Sequence, residues 1–161
     1  MNTHIPSFFI ALLSCLICLD ASAQDPALEA QKKAGQTVYM TVCFACHQPT
    51  GMGLPSMFPP LAGTDWANAA KPDRIIRMVL HGFMGPITIN GKPFTTPAPL
   101  MPPQGAVLSD QQIADALTYV RTSFGNNASA VKPEQVKAIR EAEKARTVMW
   151  TEAEILKIPV Q

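Results

Sequence analysis

Cys43-Phe44-Ala45-Cys46-His47 is the stretch whose residue types and spacing suit redox chemistry. The pattern Cys-x-x-Cys-His is typical of the covalent attachment of a c-type haem. Two thiols two residues apart can each form a thioether to a porphyrin vinyl group, and the adjacent imidazole then lies beneath the iron. We therefore predict that Cys43 and Cys46 attach the haem and that His47 is an iron ligand.

The same two cysteines also suit a redox disulfide or half of a zinc site. Structural zinc normally takes four ligands, but residues 48–161 contain no cysteine and only one further histidine, His81. A thioredoxin-like motif is expected near a β-α-β pattern, which the sequence does not show. Haem c with its iron is the predicted cofactor, and a transient disulfide is the alternative.

The ligand on the other face of the iron separates electron transfer from other haem chemistry. Methionine opposite histidine raises the reduction potential and suits electron transfer, whereas an open face permits gas binding or peroxide chemistry. Met101 is the candidate, because it lies in Pro99-Leu100-Met101-Pro102-Pro103, where fixed proline φ angles restrict the loop. Other methionines are weaker candidates, since methionine usually fills gaps in a core. We interpret His81 as the last residue of its helix, where it interacts with the last carbonyls. Ligation of the iron by His81 is the lesser alternative.

Apolar periodicity predicts an all-α fold with three main helices. Gly35 interrupts the first helix, which indicates a close approach by another element. A loop over residues 48–71 shows no periodicity and is expected to wrap the haem, and a short β-hairpin is predicted on an Asn-Gly turn. The predicted elements are helices from about Ala27 to Cys43, from Asp73 to His81, and from a capping box at Ser109 to Phe124 with Gly125 as the C′ residue, and the hairpin Ile87–Phe94.

The first 23 residues resemble a signal peptide. An apolar run ends at Leu19, and the small residues Ala21-Ser22-Ala23 precede a predicted cleavage site before Gln24. Export to the periplasm follows, with no membrane span left after cleavage. A loose lipoprotein box at Cys15 makes a lipid anchor the minor alternative.

The remainder is divided into a haem domain, residues 24–125, and a helical extension, residues 126–161. Pro133 is predicted to begin a surface helix that ends near Arg146. A capping box follows Trp150, and Trp150 and Ile155 are expected to pin this tail to the haem domain.

The charge balance excludes one class of partner. The chain has 13 Lys and Arg, 12 Asp and Glu, and a formal net charge of +1, which is not the footprint of a nucleic-acid-binding protein. Partners are instead expected to recognise a local apolar patch. The candidates, with packing against the porphyrin as the equal alternative, are Met52, Leu54, Met57 and Phe58.

From Gly35 to Phe124 the sequence resembles the class I c-type cytochromes. The resemblance is carried by the haem motif, by Pro59-Pro60-Leu61-Ala62-Gly63, by Met101-Pro102-Pro103, and by the last helix with Leu117, Tyr119 and Val120. It implies that the first and last helices cross at Gly35. It also implies that the Pro59 carbonyl accepts a hydrogen bond from His47, which would orient the ring.

Shorter segments, such as Gly85-Pro86-Ile87-Thr88 and the tail Trp150-Thr-Glu-Ala-Glu, resemble a bacterial subset. These monohaem cytochromes accompany periplasmic dehydrogenases or occur fused to copper enzymes. The resemblance implies an electron carrier, not an enzyme, whose partner is a periplasmic dehydrogenase, oxidase or reductase. The alternatives are a haem enzyme or gas sensor with an open iron, and a structural subunit that uses its tail as an interface.

Overall fold

The computed structural model describes Met1, residues 25–94 and residues 100–160. The predicted signal peptide, apart from Met1, and Pro99 of the predicted ligand loop lie outside these residues. Within them no helix is both long enough and apolar enough to cross a membrane. The elements in chain order are α1 (Pro26–Val38), a π-helical turn (Tyr39–Cys43), α2 (Phe44–His47), α3 (Asp65–Asn68), α4 (Asp73–His81), β1 (Phe83–Met84), β2 (Ile87–Ile89), β3 (Lys92–Phe94), β4 (Leu100–Met101), α5 (Asp110–Thr122), α6 (Pro133–Ala142) and α7 (Glu152–Ile155).

The first and last of the predicted main helices begin at side-chain caps. The Asp25 carboxylate accepts a hydrogen bond from Ala27 N at 2.9 Å at the start of α1. At the start of α5, Ser109 and Gln112 form the predicted capping box, in which each side chain accepts from the other residue's backbone N–H. Such caps satisfy donors that a helix N-terminus leaves free.

Helices α1 and α5 pack directly against each other at Gly35. This glycine is buried, and a Cβ added there would overlap the Asp115 carbonyl of α5. Three aromatic rings pack against one another beside this crossing, with centroids 5.2–5.5 Å apart: Tyr39, Tyr119 and Phe124. The close approach predicted from Gly35 is confirmed.

Helix α5 ends earlier than predicted. It stops at Thr122, and Phe124 has a positive φ of 57° outside the helix, so the prediction of a C′ glycine at Gly125 is wrong. The buried side chain of Asn126 explains the early end, because its Nδ2 donates to the Val120 carbonyl at 2.7 Å. An amide side chain thus satisfies a helix carbonyl that a glycine cap would otherwise serve.

Helix α6 is shorter and more buried than predicted. It ends at Ala142, and Val136 and Ile139 are buried in the main core with residues of α4 and α5. Arg140 adds a charged contact, since its Nε lies 2.7 Å from the Asp110 carboxylate at the start of α5. One apolar stripe is therefore enough to bring this Glu- and Lys-rich helix into the core.

Two short antiparallel ribbons complete the fold. The predicted hairpin is confirmed as β2 paired with β3, with Asn90 and Gly91 at positive φ in the turn. The second ribbon, β1 with β4, was not predicted, and it pairs Phe83 with Met101. Its strands are two residues long and distant in sequence, so local patterns do not reveal it.

We expect Gly35→Ala to destabilise the protein by about 1–3 kcal/mol, because the added methyl group would force α1 away from α5. In an ordinary helix the same change stabilises by roughly 0.5–1 kcal/mol. Chemical denaturation would measure the free energy of unfolding, with Gln36→Ala on the exposed side of α1 as control. A stabilised Gly35→Ala protein would contradict the close approach.

Candidate haem site

The residues predicted to bind haem line one cavity. Cys43, Cys46, His47, Pro59 and Met101 all contribute to its wall. Its empty space is about 1460 Å³, including the part that opens to solvent. Among the described residues no charged side chain lines it. Apolar walls with a few polar groups among them are typical of cofactor sites, so this cavity suits a largely apolar group.

His47 is one of the buried polar residues of the cavity wall. It is the last residue of α2, with 9% of its surface exposed, and its Nδ1 lies 3.0 Å from the Pro59 carbonyl oxygen. A carbonyl oxygen can only accept, so Nδ1 carries the proton and Nε2 keeps a lone pair. Burial lowers the pKa of His47, an effect that the bond to Pro59 opposes. The imidazole is thus in the neutral form that binds metals.

A glycine allows the Pro59 carbonyl to reach His47. Gly53 is buried with φ of +65°, and a Cβ there would lie 2.5 Å from the Pro59 oxygen and would overlap the Phe58 carbonyl. Its own N–H donates to the His47 carbonyl at 3.0 Å. The loop after the haem motif therefore folds back on the motif through backbone contacts that need glycine.

Cys43 and Cys46 lie one helical turn apart beside His47. Both are partly buried and free of any disulfide. Burial, and to a smaller degree Cys46, raise the pKa of the Cys43 thiol to about 11. Near pH 7 Cys43 is therefore a neutral thiol at the wall of an apolar cavity.

Met101 reaches the cavity from the opposite part of the sequence. It is half-buried on β4, and its neighbour Pro102 also lines the cavity. Beyond it, Gln104 N donates to the Val79 carbonyl at 2.8 Å, which ties the segment to α4. The ligand candidate is thus fixed on both sides, by β1 before it and by α4 after it.

Most of the other candidate iron ligands lie outside the cavity. Of the remaining methionines, only Met57 and Met78 line it among the described residues, and Met57 is 54% exposed. His81 does not line the cavity. Burial lowers the pKa of this residue, and the nearby Glu143 carboxylate opposes that effect in part.

Sequence reasoning missed several cavity residues. Trp66 lines the wall and its Nε1 donates to the Thr88 carbonyl at 2.7 Å, which joins the loop to the hairpin. Phe83 and Leu100 line it from the unpredicted ribbon. The only signal for Trp66 was its place in the long loop, since aromatic residues there need a surface to pack on.

The donor set and the walls fit a haem. Two thiols and an imidazole adjoin on one helical segment, a thioether enters from elsewhere, and the rest of the wall is apolar. Haem proteins of this kind combine covalent cysteines with His and Met ligands in a pocket of low polarity.

Comparison with known proteins agrees with this geometry. The sequence profile of the cytochrome c family matches residues 32–124, which is more than half of the chain. The alcohol dehydrogenase (quinone) cytochrome c subunit of Gluconacetobacter polyoxogenes is 38% identical over 94 residues, covering 58% of this chain and 19% of that protein. The gluconate 2-dehydrogenase cytochrome c subunit of Pantoea cypripedii is 36% identical over 69% of this chain and 25% of its own length. Cytochrome c-552 of Thermus thermophilus is 32% identical over 71% of this chain and 86% of its own length.

This chain belongs to the cytochrome c family. The membership confirms the family, the fold class and the covalent haem c with its iron that were predicted from sequence. Transfer of electrons, without catalysis of its own, is the role of cytochrome c subunits in dehydrogenases. The chain spans about a fifth to a quarter of the dehydrogenase subunits that it matches.

We expect Gly53→Ala to break the hydrogen bond between His47 and Pro59, because the added methyl group would displace the Pro59 carbonyl. Loss of a bond worth about 0.5–1.5 kcal/mol permits up to about tenfold faster exchange of the ring Nδ1 proton with solvent. Proton NMR of the reduced holoprotein would measure this rate. Gly63→Ala is the matched control, since Gly63 also has positive φ (+63°) but a Cβ there meets nothing within 4 Å. Equal exchange rates in both variants would contradict the role of Gly53.

Proposed function

We propose that this chain is a periplasmic monohaem cytochrome c that carries single electrons between redox proteins. In the proposal Cys43 and Cys46 hold the haem, His47 and Met101 ligate its iron, and Pro59 orients the His47 ring. The observation that carries it is that all five residues line a single apolar cavity.

The haem, when bound, supplies an iron that gains or loses one electron. The chain's own residues set the conditions for that change. His47 presents a neutral nitrogen held by Pro59, and Met101 presents a thioether, a soft ligand that favours the reduced metal. The apolar walls exclude water and raise the potential further, because the oxidised iron carries more charge than the reduced iron.

An apolar rim supports electron transfer at this cavity. Met57 and Leu100 both line it and are 54% exposed, so they stand where the cavity meets solvent. Of the other predicted patch residues, Met52 and Leu54 are exposed outside the cavity, whereas Phe58 lines it. In the proposal Met52 and Leu54 are therefore available for docking, whereas Phe58 packs at the cavity. Small interfaces with adaptable methionine contacts suit brief electron-transfer encounters.

A periplasmic dehydrogenase is the partner that the relatives favour. Several of them are cytochrome subunits of dehydrogenases, and one is an oxidase subunit. This chain corresponds to only part of those subunits, so the proposed partner rests on analogy with them. The proposed periplasmic location rests on the resemblance of residues 1–23 to a signal peptide.

Trp150, the tail residue that the structural-subunit alternative would use as an interface, is buried within this chain. Trp150 is 6% exposed and Ile155 is fully buried, both in a cluster within this chain. Their side chains are already used inside the fold and are unavailable to a partner.

We expect Met101→Ala to remove the weak long-wavelength sulfur-to-iron band of the oxidised protein and to allow carbon monoxide to bind the reduced protein. The opened iron site would also lower the reduction potential. Visible spectroscopy and redox titration of the holoprotein would measure these changes.

Met78→Ala is the matched control, because Met78 also lines the cavity and shares a hydrophobic cluster with Met101. It should keep the band and stay insensitive to carbon monoxide. A parent protein that already binds carbon monoxide would instead indicate a haem enzyme or gas sensor.

We expect the protein exported by a bacterium with haem-attachment machinery to begin at Gln24 and to carry the mass of one haem. Intact-mass measurement of the periplasmic fraction would test both points. Substitution of Cys15 by Ser should change neither, because signal peptidase cleavage does not require that cysteine. A lipid-modified protein beginning at Cys15 would contradict soluble export.

A further inference from the structure

The C-terminal tail lies against β1, the strand that pairs with Met101 of β4. Trp150 pairs with Phe83 in a parallel bridge, while Phe83 pairs on its other side with Met101. Two hydrogen bonds form this bridge: Trp150 N donates to the Gly82 carbonyl at 3.0 Å, and Met84 N donates to the Trp150 carbonyl at 2.8 Å. Backbone from the tail therefore extends the ribbon on the side away from the proposed ligand.

Side chains link the same three positions. Phe83, Trp150 and Ile155 are buried in one cluster, and Met101 packs against it. Gly82 lies in the gap between the two segments: a Cβ there would lie 2.7 Å from the Met101 carbonyl oxygen and 3.1 Å from Met149 Cγ. The tail and the ligand strand β4 thus each lie close to the segment that contains Gly82 and β1.

The tail is also fixed on both sides of Trp150. Before it, the Arg146 guanidinium stacks on the indole at 3.5 Å from the ring centroid and contacts Glu154 at 3.2 Å. After it, Glu152 accepts from Thr88 N of the hairpin at 2.5 Å.

Farther along, the tail is held by α4. The Arg74 guanidinium donates to the Ile158 and Leu156 carbonyls at 2.7 and 2.9 Å. Trp150 is accordingly held in place by contacts with the hairpin and with α4, neither of which involves β4.

We propose that Trp150 is a positioning residue for Met101: it braces β1 from behind, so that β4 keeps the thioether directed at the iron. The inference rests on the proposed ligation by Met101. A short two-residue ribbon has little stability of its own, and a backbone bridge to the tail, with a buried indole, adds the stability that the ribbon lacks. The tail thereby favours the six-coordinate iron over a form with Met101 detached.

The test compares Trp150→Ala with Ile139→Ala in the holoprotein. Ile139 is a buried residue of the same extension, but it packs in the separate core of α4, α5 and α6. Carbon monoxide binds only when Met101 has left the iron, so its apparent affinity follows the detached fraction. We expect about a tenfold higher affinity in Trp150→Ala, together with a weakened sulfur-to-iron band and a lower reduction potential. Trp150→Phe should restore most of the parent behaviour.

A guanidinium titration distinguishes local detachment of Met101 from global unfolding. The sulfur-to-iron band reports the first, and the far-UV circular dichroism of the helices reports the second. In Trp150→Ala the band should be lost at lower denaturant than the helices, whereas in Ile139→Ala both should be lost together. Should Trp150→Ala yield no folded protein, Ile155→Val, a smaller change in the same cluster, should raise the affinity about two- to threefold.

Two results would overturn the inference, and they differ in what else they overturn. Parent-like carbon monoxide affinity in Trp150→Ala and Ile155→Val, or an equal rise in Ile139→Ala, removes the bracing role and leaves the proposed function standing. A parent protein without the band, or one whose band survives Met101→Ala, removes both.

Discussion

This fold depends on an apolar volume that its own side chains do not fill. The hydrophobic clusters lie around the cavity, and no charged side chain among the described residues lines it. Protein interiors are close-packed, so an apolar wall of this kind needs atoms against it. In the proposed function a haem attached at Cys43 and Cys46 packs against the wall, and it would give a long loop, rich in Gly and Pro, a surface to follow.

Two backbone carbonyls fix the geometry of the site and of the helix crossing. The Pro59 oxygen fixes His47, and the Asp115 carbonyl meets α1 at Gly35. Both approaches require a glycine, at Gly53 and Gly35, because any side chain there would occupy the space of a carbonyl. The orientation of the His47 ring and the crossing of α1 and α5 therefore depend on the absence of Cβ atoms at two positions.

The part of the chain beyond Gly125 belongs to the same structure as the haem domain. Asn126 caps α5, Val131 is fully buried, and α6 enters the main core. The tail then passes behind the ribbon that presents Met101. The extension thus contacts the helices that flank the cavity and also β1, the strand that pairs with the strand of the proposed ligand.

Sequence by itself determined the haem motif, the capped helices, the Gly35 crossing and the Asn-Gly hairpin, because each depends on residues close together in the chain or on chemistry specific to one residue type. Only the tertiary structure decided where α5 ends, that α6 is partly buried, and that β1 pairs with β4 and Trp150. These features depend on partners far apart in sequence, such as Asn126 for α5 and Phe83 for Met101. Two-residue strands have no period to detect, and a single apolar stripe on α6 does not say which surface will cover it.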